Sequence, residues 1–493
     1  GKTGYCGYEG KNVLPDRDFL LYYTLSEKDM GLNLLTHKPY GKNGYFMLLL
    51  SPGRLERTGA VISKEIVFVI DVSGSMAGEK IEQAKEALKY CLRKLNRGDR
   101  FNIITFATGI EYFQEGPVPA AMKMIDLALD FVDTIDARGG TNIDEALRKA
   151  LSAAESPGAP RMIIFLTDGA PTVGETDDDD ILKNVKKRNS KDARIFSFGV
   201  GYDVNTYLLD NLSLGNGGMA EYIKPEESIE LKVTSFFSKV SDPIMTDISL
   251  EFDRVRIRDL YPTELPDIFN GMQLVLFGRY RDSGPTAIHL RGRVGENDKT
   301  MMFESSFDET NRGNDFIPRL WATRKIAYLL TEVRLHGESN ELVGEIINLA
   351  KEHGIITPYT SYLIHKHGPP TIRPLMSRAM LNDQHDIAGK GLKKRTGVEA
   401  FRMSRNVGRD RESSTLSSPT SDSVVYVGRK TFYLTGDGWI DEEYAEGSDV
   451  VDLEFMSEKY LELLGTNPEI GDYLSIGTNV TFVFQGKCYR VRE

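Results

Sequence analysis

The stretch that decides the fold is IVFVIDVSGSMAGEK, residues 66–80. A run of five apolar residues ends at Asp71, and Ser73 and Ser75 follow at alternate positions with Gly74 between them. An apolar run of this length predicts a buried β-strand, and glycine permits the tight curvature that the next residues require. Apolar residues then recur at helical spacing from Ile81. The pattern predicts a strand, a sharp loop and an amphipathic helix.

Three further apolar runs alternate with helical segments between residues 64 and 242. They are RFNIITFA (100–107), RMIIFLTD (161–168) and RIFSFGVG (194–201). Strands this apolar are typically buried on both faces, and their alternation with helices is typical of a parallel sheet. We therefore predict an α/β domain over 64–242 with a doubly wound, mostly parallel, Rossmann-like sheet.

The segments on either side of this domain have β-like patterns. Residues 1–60 contain short apolar runs bounded by turn residues, and residues 243–310 contain several longer ones. We expect 243–310 to form a β-sandwich that is completed by 13–60, with the α/β domain inserted into it. Such an insertion is tolerated when the ends of the inserted domain lie close together.

The remainder of the chain divides into three predicted parts. Residues 311–366 have the pattern of a helical hairpin followed by an extended segment. Residues 367–423 are rich in Pro, Ser, Arg and Lys, which predicts a basic flexible linker. Residues 424–493 have the pattern of a small α+β domain that ends in a hairpin with a Gln-Gly turn.

Composition excludes some classes of protein. The 493 residues include 72 acidic and 61 basic side chains, a net charge of −11, which argues against a nucleic-acid-binding protein. No apolar stretch is long enough to predict a transmembrane helix. Three cysteines do not form a disulfide framework.

Five oxygen-bearing side chains are predicted to meet at one edge of the parallel sheet. Asp71 and Asp168 end buried strands, Ser73 and Ser75 lie in the loop after the first strand, and Thr141 precedes a helix. Ligands of doubly wound sheets bind beyond the carboxyl ends of the strands. Two carboxylates and three hydroxyls are hard ligands, which suit Mg²⁺, with Mn²⁺ or Ca²⁺ as alternatives, rather than zinc. Such a site could accept a carboxylate from a protein partner.

Other interpretations of the same residues are weaker. An Asp-Ser-Gly loop can be a simple turn before a helix. An aspartyl nucleophile would want a second acid at position 73, which is Ser. Gly74, Gly78 and Lys80 imitate a phosphate loop, but the spacing to the lysine fails. The tripeptide Arg97-Gly98-Asp99 fits a helix end followed by a strand better than an exposed adhesion motif.

The five residues resemble the metal-ion-dependent adhesion site (MIDAS) of von Willebrand factor A (VWA) domains. Wider stretches are similar to the inter-alpha-trypsin inhibitor heavy chains and their bacterial relatives, for example FSFGVGYDVNTYLLDNLS, YPTELPDIFNGMQLVLFGRY and LWATRKIAYLL. The resemblance implies direct metal coordination by the hydroxyls, coordination by the aspartates at least partly through water, and a ligand-binding role for Mg²⁺ without catalysis.

The family resemblance carries further expectations. In that family a VIT domain precedes the VWA domain, so residues 1–60 would end or follow a VIT domain in a chain truncated at its N-terminus. The part from Val424 onward resembles bacterial members more than vertebrate heavy chains. The sequence lacks the Asp-Pro-His-Phe through which vertebrate heavy chains are ester-linked to chondroitin sulfate, so we do not expect linkage to a glycosaminoglycan. A secreted or cell-envelope location follows from the same resemblance.

We therefore predict a non-enzymatic, divalent-cation-dependent adhesion or protein-interaction module. Its metal ligands would be Asp71, Ser73, Ser75, Thr141 and Asp168, with no catalytic residues. An intracellular VWA scaffold that assists an ATPase or chaperone complex is the alternative, although such modules usually lack flanking sandwich strands. A metal-assisted hydrolase is a third candidate, and it lacks a histidine in the metal loops to act as a general base.

Overall fold

The structure is a computed structural model of the chain. It describes residues 30–52, 62–152, 159–189, 193–270, 272–295, 297–355, 357–359, 394–412, 424–427, 430–435, 438–441, 443–444, 448–467 and 470–492.

The described chain begins with an antiparallel hairpin of β1 (Met30–His37) and β2 (Gly44–Pro52). Strand β2 is buried on both faces. Leu48 and its alternate neighbours face one apolar cluster, whereas Met47 and Leu49 face another. Side chains of a strand alternate between its two faces, so β2 lies between two layers of the protein.

A parallel sheet follows, and the order of its strands is β5-β4-β3-β7-β8-β9, with β6 also paired to β4. Its strands are β3 (Glu65–Asp71), β4 (Arg100–Phe106), β5 (Ile110–Tyr112), β6 (Val118–Pro119), β7 (Arg161–Thr167), β8 (Arg194–Val200) and β9 (Ala220–Ile223). The short β5 and β6 run antiparallel to β4, and the other strands are parallel. Every residue of β3 and β7 is buried, as expected for central strands of a doubly wound sheet.

Helices cover both faces of this sheet. After a 3₁₀ turn at Gly74–Met76 they are α1 (Glu79–Arg93), α2 (Met122–Asp133), α3 (Ile143–Ser152), α4 (Asp178–Arg188), α5 (Thr206–Leu214) and α6 (Ile229–Val240). Helices α1, α2 and α6 pack on one face, and α3, α4 and α5 pack on the other. The apolar face predicted for α1 is buried, Cys91 included. The predicted doubly wound α/β fold is confirmed.

A two-sheet sandwich holds this domain. Its later strands are β10 (Pro243–Phe252), β11 (Ile257–Tyr261), β12 (Ile268–Phe269), β13 (Leu274–Tyr280), β14 (Gly284–Val294) and β15 (Asn297–Phe307). One sheet has the order β1-β2-β13-β11 and the other β12-β10-β14-β15. Leu48 of β2 lies opposite Leu276 of β13. The α/β domain is therefore inserted between β2 and β10 of one sandwich.

A helical hairpin packs on the outer face of the first sheet. Helix α7 (Ile317–His336) and helix α8 (Asn340–His353) bury Trp321 against the apolar cluster that contains Met47 and Leu49. The side chain of Ser339 accepts a hydrogen bond from the backbone N–H of Leu342 and so caps α8. Most of the extended segment predicted up to residue 366 lies outside the described residues.

The segment 367–423 contains a docked helix, α9 (Val398–Glu412), so the prediction of a flexible linker is wrong for residues 394–412. Phe401 is fully buried, with its ring centroid 5.0 Å from that of Tyr202 and 5.7 Å from that of Tyr222. Arg405 donates two hydrogen bonds to the carboxylate of Glu227, at 2.9 and 2.7 Å. These contacts supply the apolar burial and charge pairing that the basic segment lacks by itself.

The last domain has a six-stranded sheet of order β16-β17-β18-β20-β21-β19. Its elements are β16 (Val424–Val427), β17 (Lys430–Thr435), β18 (Gly438–Asp441), β19 (Val450–Glu454), β20 (Val480–Phe484), β21 (Lys487–Arg492), α10 (Glu458–Thr466) and α11 (Gly471–Leu474). Gln485 and Gly486 both have positive φ, 50° and 77°, in the hairpin between β20 and β21, which fits the predicted turn. Among the described helices of the whole chain, none is long and apolar enough to cross a membrane.

Candidate metal centre at the carboxyl edge of the parallel sheet

Two neighbouring strands deliver the two aspartates. Asp71 is the last residue of β3, and Asp168 directly follows β7. The strands are parallel and paired up to Ile70 and Leu166, so both aspartates lie at the same edge of the sheet. Strand β3 pairs with β4 on its other side, so the strand order reverses between β3 and β7. The point of reversal is the usual ligand position in doubly wound folds.

The loop after β3 brings the two serines together. The backbone N–H of Ser73 donates to Oδ1 of Asp71 at 2.8 Å, which turns the chain back towards the strand end. The hydroxyl oxygens of Ser73 and Ser75 lie 3.1 Å apart. Ser73 is buried and Ser75 is exposed. The loop therefore places one hydroxyl inside the site and one at its rim.

A second loop, residues 138–142, reaches the same edge. The backbone N–H of Gly74 donates to the carbonyl of Gly139 at 3.0 Å, and Gly139 has a φ of +81°, a left-handed conformation that favours glycine. Thr141 is buried just before α3, and its backbone N–H donates to the hydroxyl of Thr172 at 2.8 Å. A Cβ atom added to Gly169 would lie 3.9 Å from Oγ1 of Thr141. The Thr141 hydroxyl therefore lies beside the residue that follows Asp168.

Both oxygens of the Asp168 carboxylate have partners. Oδ1 accepts a hydrogen bond from the hydroxyl of Ser75 at 2.7 Å, and Oδ2 contacts the ammonium of Lys80 at 2.6 Å. The same ammonium donates to the carbonyl of Ser75 at 3.1 Å. In the sequence, Lys80 resembles a phosphate-loop lysine, but its spacing from the glycines is wrong. In the structure its ammonium instead contacts the carboxylate of Asp168.

The carboxylate of Asp71 is held by a residue that the sequence analysis missed. The hydroxyl of Thr167, the last residue of β7, donates to Oδ2 of Asp71 at 2.5 Å. The sequence contains a signal for this contact, because Thr167 is the last residue of β7 and Asp71 is the last residue of β3. The two strands are neighbours. The pKa of Asp71 lies above its ordinary value, mainly because the carboxyl is buried. The bonds from Thr167 and Ser73 lower the pKa, and the nearby Asp168 carboxylate raises it. A cation at this edge would favour the ionised form.

The donor set fits a small hard cation. The structure connects Ser73, Ser75 and Asp168 through oxygen–oxygen contacts of 3.1 and 2.7 Å, and Asp71 holds the same loop. Hydroxyls and carboxylates are hard oxygen ligands, which Mg²⁺ prefers. In the part of the chain that the structure describes, no cluster of three or more His, Cys, Asp or Glu side chains could hold a metal. A site here depends on its hydroxyls as much as on its carboxylates.

The adhesion-like tripeptide lies at the opposite edge of the sheet, before β4. Asp99 is fully buried, and its Oδ2 lies 2.6 Å from the equally buried ammonium of Lys64. The backbone N–H groups of Lys64 and Asn96 also donate to this carboxylate, at 3.1 and 2.7 Å. Asp99 therefore has a structural role and is not available to an external receptor.

Comparison with known proteins identifies the class of domain to which the parallel sheet belongs. The sequence profile of the von Willebrand factor type A domain matches residues 64–222, the part of the chain that contains the parallel sheet. A solved structure described as von Willebrand factor type A from Catenulispora acidiphila superposes with a TM-score of 0.51 and 16% identity, covering 77% of this chain and 100% of that one. This second similarity concerns the fold alone. The chain contains a VWA domain.

The more particular relatives are the inter-alpha-trypsin inhibitor heavy chains. Human heavy chain H4 is 32% identical over 345 residues, 66% of this chain and 37% of the relative. Bovine heavy chain H3 is 32% identical over 344 residues, 66% of this chain and 38% of the relative. The chain is an inter-alpha-trypsin inhibitor heavy chain-like VWA protein, as its sequence predicts. It spans less than half the length of these relatives.

Proposed function

We propose that this chain is a protein-interaction or adhesion module that binds an acidic group of a partner through a divalent cation. The observation that carries the proposal is the group of oxygen donors at the ends of β3 and β7. Asp71, Ser73, Ser75, Thr141 and Asp168 come from three separate segments and converge at the switch point of the sheet. Loops that served only as turns would not need this convergence.

Each residue has a defined part in the proposal. Ser73, Ser75 and Thr141 would offer neutral hydroxyl oxygens, and Asp71 and Asp168 would offer charge. Mg²⁺, the cation we propose, would supply a Lewis-acidic position that can accept one further oxygen ligand. Two carboxylates balance a divalent charge, so an added carboxylate from the partner is attracted by the ion and not repelled by an excess of protein charge.

The surroundings of the site support a binding role. Ser75 is exposed at the rim, whereas Asp71 and Asp168 are buried at the base, so a partner would approach from the Ser75 side. We propose that the protein is non-enzymatic and acts in a secreted or cell-envelope setting, as the similarity to the heavy chains favours. The sandwich around the VWA domain favours this setting over an intracellular scaffold.

Calorimetric titration of Mg²⁺ tests the metal site. The wild-type chain should bind one Mg²⁺, and Asp71→Asn should abolish the heat, because the variant keeps the shape of the side chain and removes its charge. Glu86→Gln is a matched control, since Glu86 is a half-exposed carboxylate on α1 that pairs with Lys89. Equal heats from wild type and Asp71→Asn would overturn the assignment.

Acetate, the smallest carboxylate, tests the open ligand position. With Mn²⁺ in place of Mg²⁺, acetate bound next to the paramagnetic ion would show accelerated relaxation of its methyl protons. We expect this effect with wild type and with Glu86→Gln, and not with Asp71→Asn. If Mn²⁺ binds and the acetate protons relax no faster than in buffer without Mn²⁺, the cation is structural. The ligand-binding proposal then fails.

A further inference from the structure

Lys80 places an ammonium group at the proposed metal site, although its position in the helix disfavours a positive charge. Lys80 is the second residue of α1, and a positive charge in the first turn of a helix is disfavoured by the helix dipole. Its ammonium nevertheless lies 2.6 Å from Oδ2 of Asp168 and 3.1 Å from the carbonyl of Ser75. The Asp168 carboxylate therefore determines where the lysine points.

We propose that Lys80 is a tethered cation that competes with the divalent ion for Asp168. The proposal rests on the proposed function, because it concerns the same metal site. In the metal-free chain Lys80 neutralises one of two neighbouring buried carboxylates and keeps the site folded. Binding of the divalent ion to Asp168 then requires the lysine to withdraw.

The charges of the site support competition. Asp71 and Asp168 carry two negative charges, and Lys80 reduces the total to one. Adding a divalent ion while the ammonium stays would leave a net positive charge, with two cations sharing one carboxylate whose side chain is fully buried. Two cations that contact the same carboxylate in a largely buried site repel each other strongly. Exchange of one cation for the other avoids this repulsion.

The geometry also supports withdrawal. The Lys80 side chain is 39% exposed, so its long flexible stem can move the ammonium into water without leaving a cavity. Asp168 keeps the hydrogen bond from Ser75 to its other oxygen when Lys80 leaves. The consequence is a site that has a lower affinity for the divalent ion and stays ordered without it. The site fills only when enough cation is present, or when a partner adds negative charge.

Removing the charge of Lys80 tests the competition. Lys80→Met should bind Mg²⁺ about tenfold more tightly than wild type in calorimetry, a difference of about 1.4 kcal/mol. In EDTA the same variant should melt at a lower temperature, because two carboxylates are left without a cation. Lys80→Arg keeps the charge and should bind Mg²⁺ as wild type does. Lys85→Met, on the same helix and paired with Glu82, is the matched control.

Chemical labelling of wild type gives an independent measurement. Acetylation of lysine amines, followed by peptide mass spectrometry, should modify Lys80 several-fold faster with Mg²⁺ than with EDTA, while Lys85 should not change. Lys80→Gln serves for the binding measurement if Lys80→Met does not fold by circular dichroism.

The outcomes separate the two proposals. If wild type binds Mg²⁺ and the neutral variants bind it equally or less tightly, or if Mg²⁺ leaves Lys80 labelling unchanged, the competition is overturned and the metal site stands. If neither wild type nor any Lys80 variant binds Mg²⁺, the proposed function itself fails.

Discussion

The hydroxyl of Thr167 donates a hydrogen bond to Oδ2 of Asp71 across 2.5 Å, and both side chains are fully buried. The bond joins the ends of β3 and β7, the two strands that carry the aspartates of the candidate metal centre. The Ser73 N–H donates to the other oxygen, so both oxygens of the Asp71 carboxylate accept hydrogen bonds from the protein. The neighbouring strand and the loop after β3 therefore fix the orientation of this carboxylate.

Removing the Thr167 hydroxyl should destabilise the VWA domain. Thr167→Val keeps the shape of the side chain and leaves one oxygen of a buried carboxylate without its donor. We expect the free energy of unfolding to fall by about 1–3 kcal/mol. Urea unfolding in EDTA measures this loss without a contribution from metal. Thr167→Ser retains a hydroxyl and should recover most of the stability. A valine variant as stable as wild type would show that the bond contributes nothing.

The docking of α9 on the VWA domain should depend on Phe401. Phe401→Ala removes a fully buried ring between Tyr202 and Tyr222, which typically costs about 3–5 kcal/mol. We expect α9 to detach, so limited proteolysis should cleave within residues 394–412 much faster than in wild type. Val398→Ala is the control, because Val398 is 41% exposed on the same helix. Equal cleavage of the Phe401 variant and wild type would contradict the docking.

The ion pair between Arg405 and Glu227 should make this docking sensitive to acid. Burial raises the pKa of Glu227, but the hydrogen bonds from Arg405 and from the Lys224 N–H outweigh it, so the net shift is below the ordinary value of 4.5. A lowered pKa in the folded chain stabilises it fully above about pH 4.5, and the stabilisation is lost as the pH falls through the lower folded value.

The size of the effect should be small. The pair is partly exposed, so we expect no more than about 1 kcal/mol. The measurement is the difference in unfolding free energy between wild type and Glu227→Gln, followed from pH 7 to pH 3. The difference should vanish below the folded pKa. A difference that is the same at both ends of the range would show that charge plays no part.

The buried pair of Lys64 and Asp99 should be essential for stability. Lys64→Met leaves the Asp99 carboxylate buried without its countercharge, which typically costs about 3–5 kcal/mol. The melting temperature should fall accordingly. The double variant Lys64→Met with Asp99→Asn removes both charges and should recover part of the loss. If the single variant melts like wild type, the pair does not stabilise the base of the domain.

Some of the architecture could be predicted because it depends on local patterns. The apolar runs that end at Asp71 and Asp168 predict buried strands, and their alternation with amphipathic segments predicts a parallel sheet with both faces covered. The cap at Ser339 and the turn at Gly486 follow from residue types with known backbone preferences. These features need only neighbouring residues to be recognised.

Helix α9 could not be predicted in the same way. Its sequence, VEAFRMSRNVGRDRE, is dominated by charged and polar residues, and its few buried positions, such as Phe401, make a weak pattern. The contacts that hold it come from far along the chain, for example Arg405 with Glu227, 178 positions away. Composition therefore suggested a linker where long-range packing produces a docked helix.

By itself, the sequence determined which residues form the candidate metal centre. Parallel strands must bring their carboxyl ends to one edge, so Asp71, Asp168 and their loops could be assigned from strand periodicity alone. Only the tertiary structure decided which side chains satisfy those carboxylates without metal. Thr167 on the neighbouring strand and Lys80 on α1 do so, because hydrogen bonds of 2.5 and 2.6 Å depend on side-chain positions that strand periodicity does not specify.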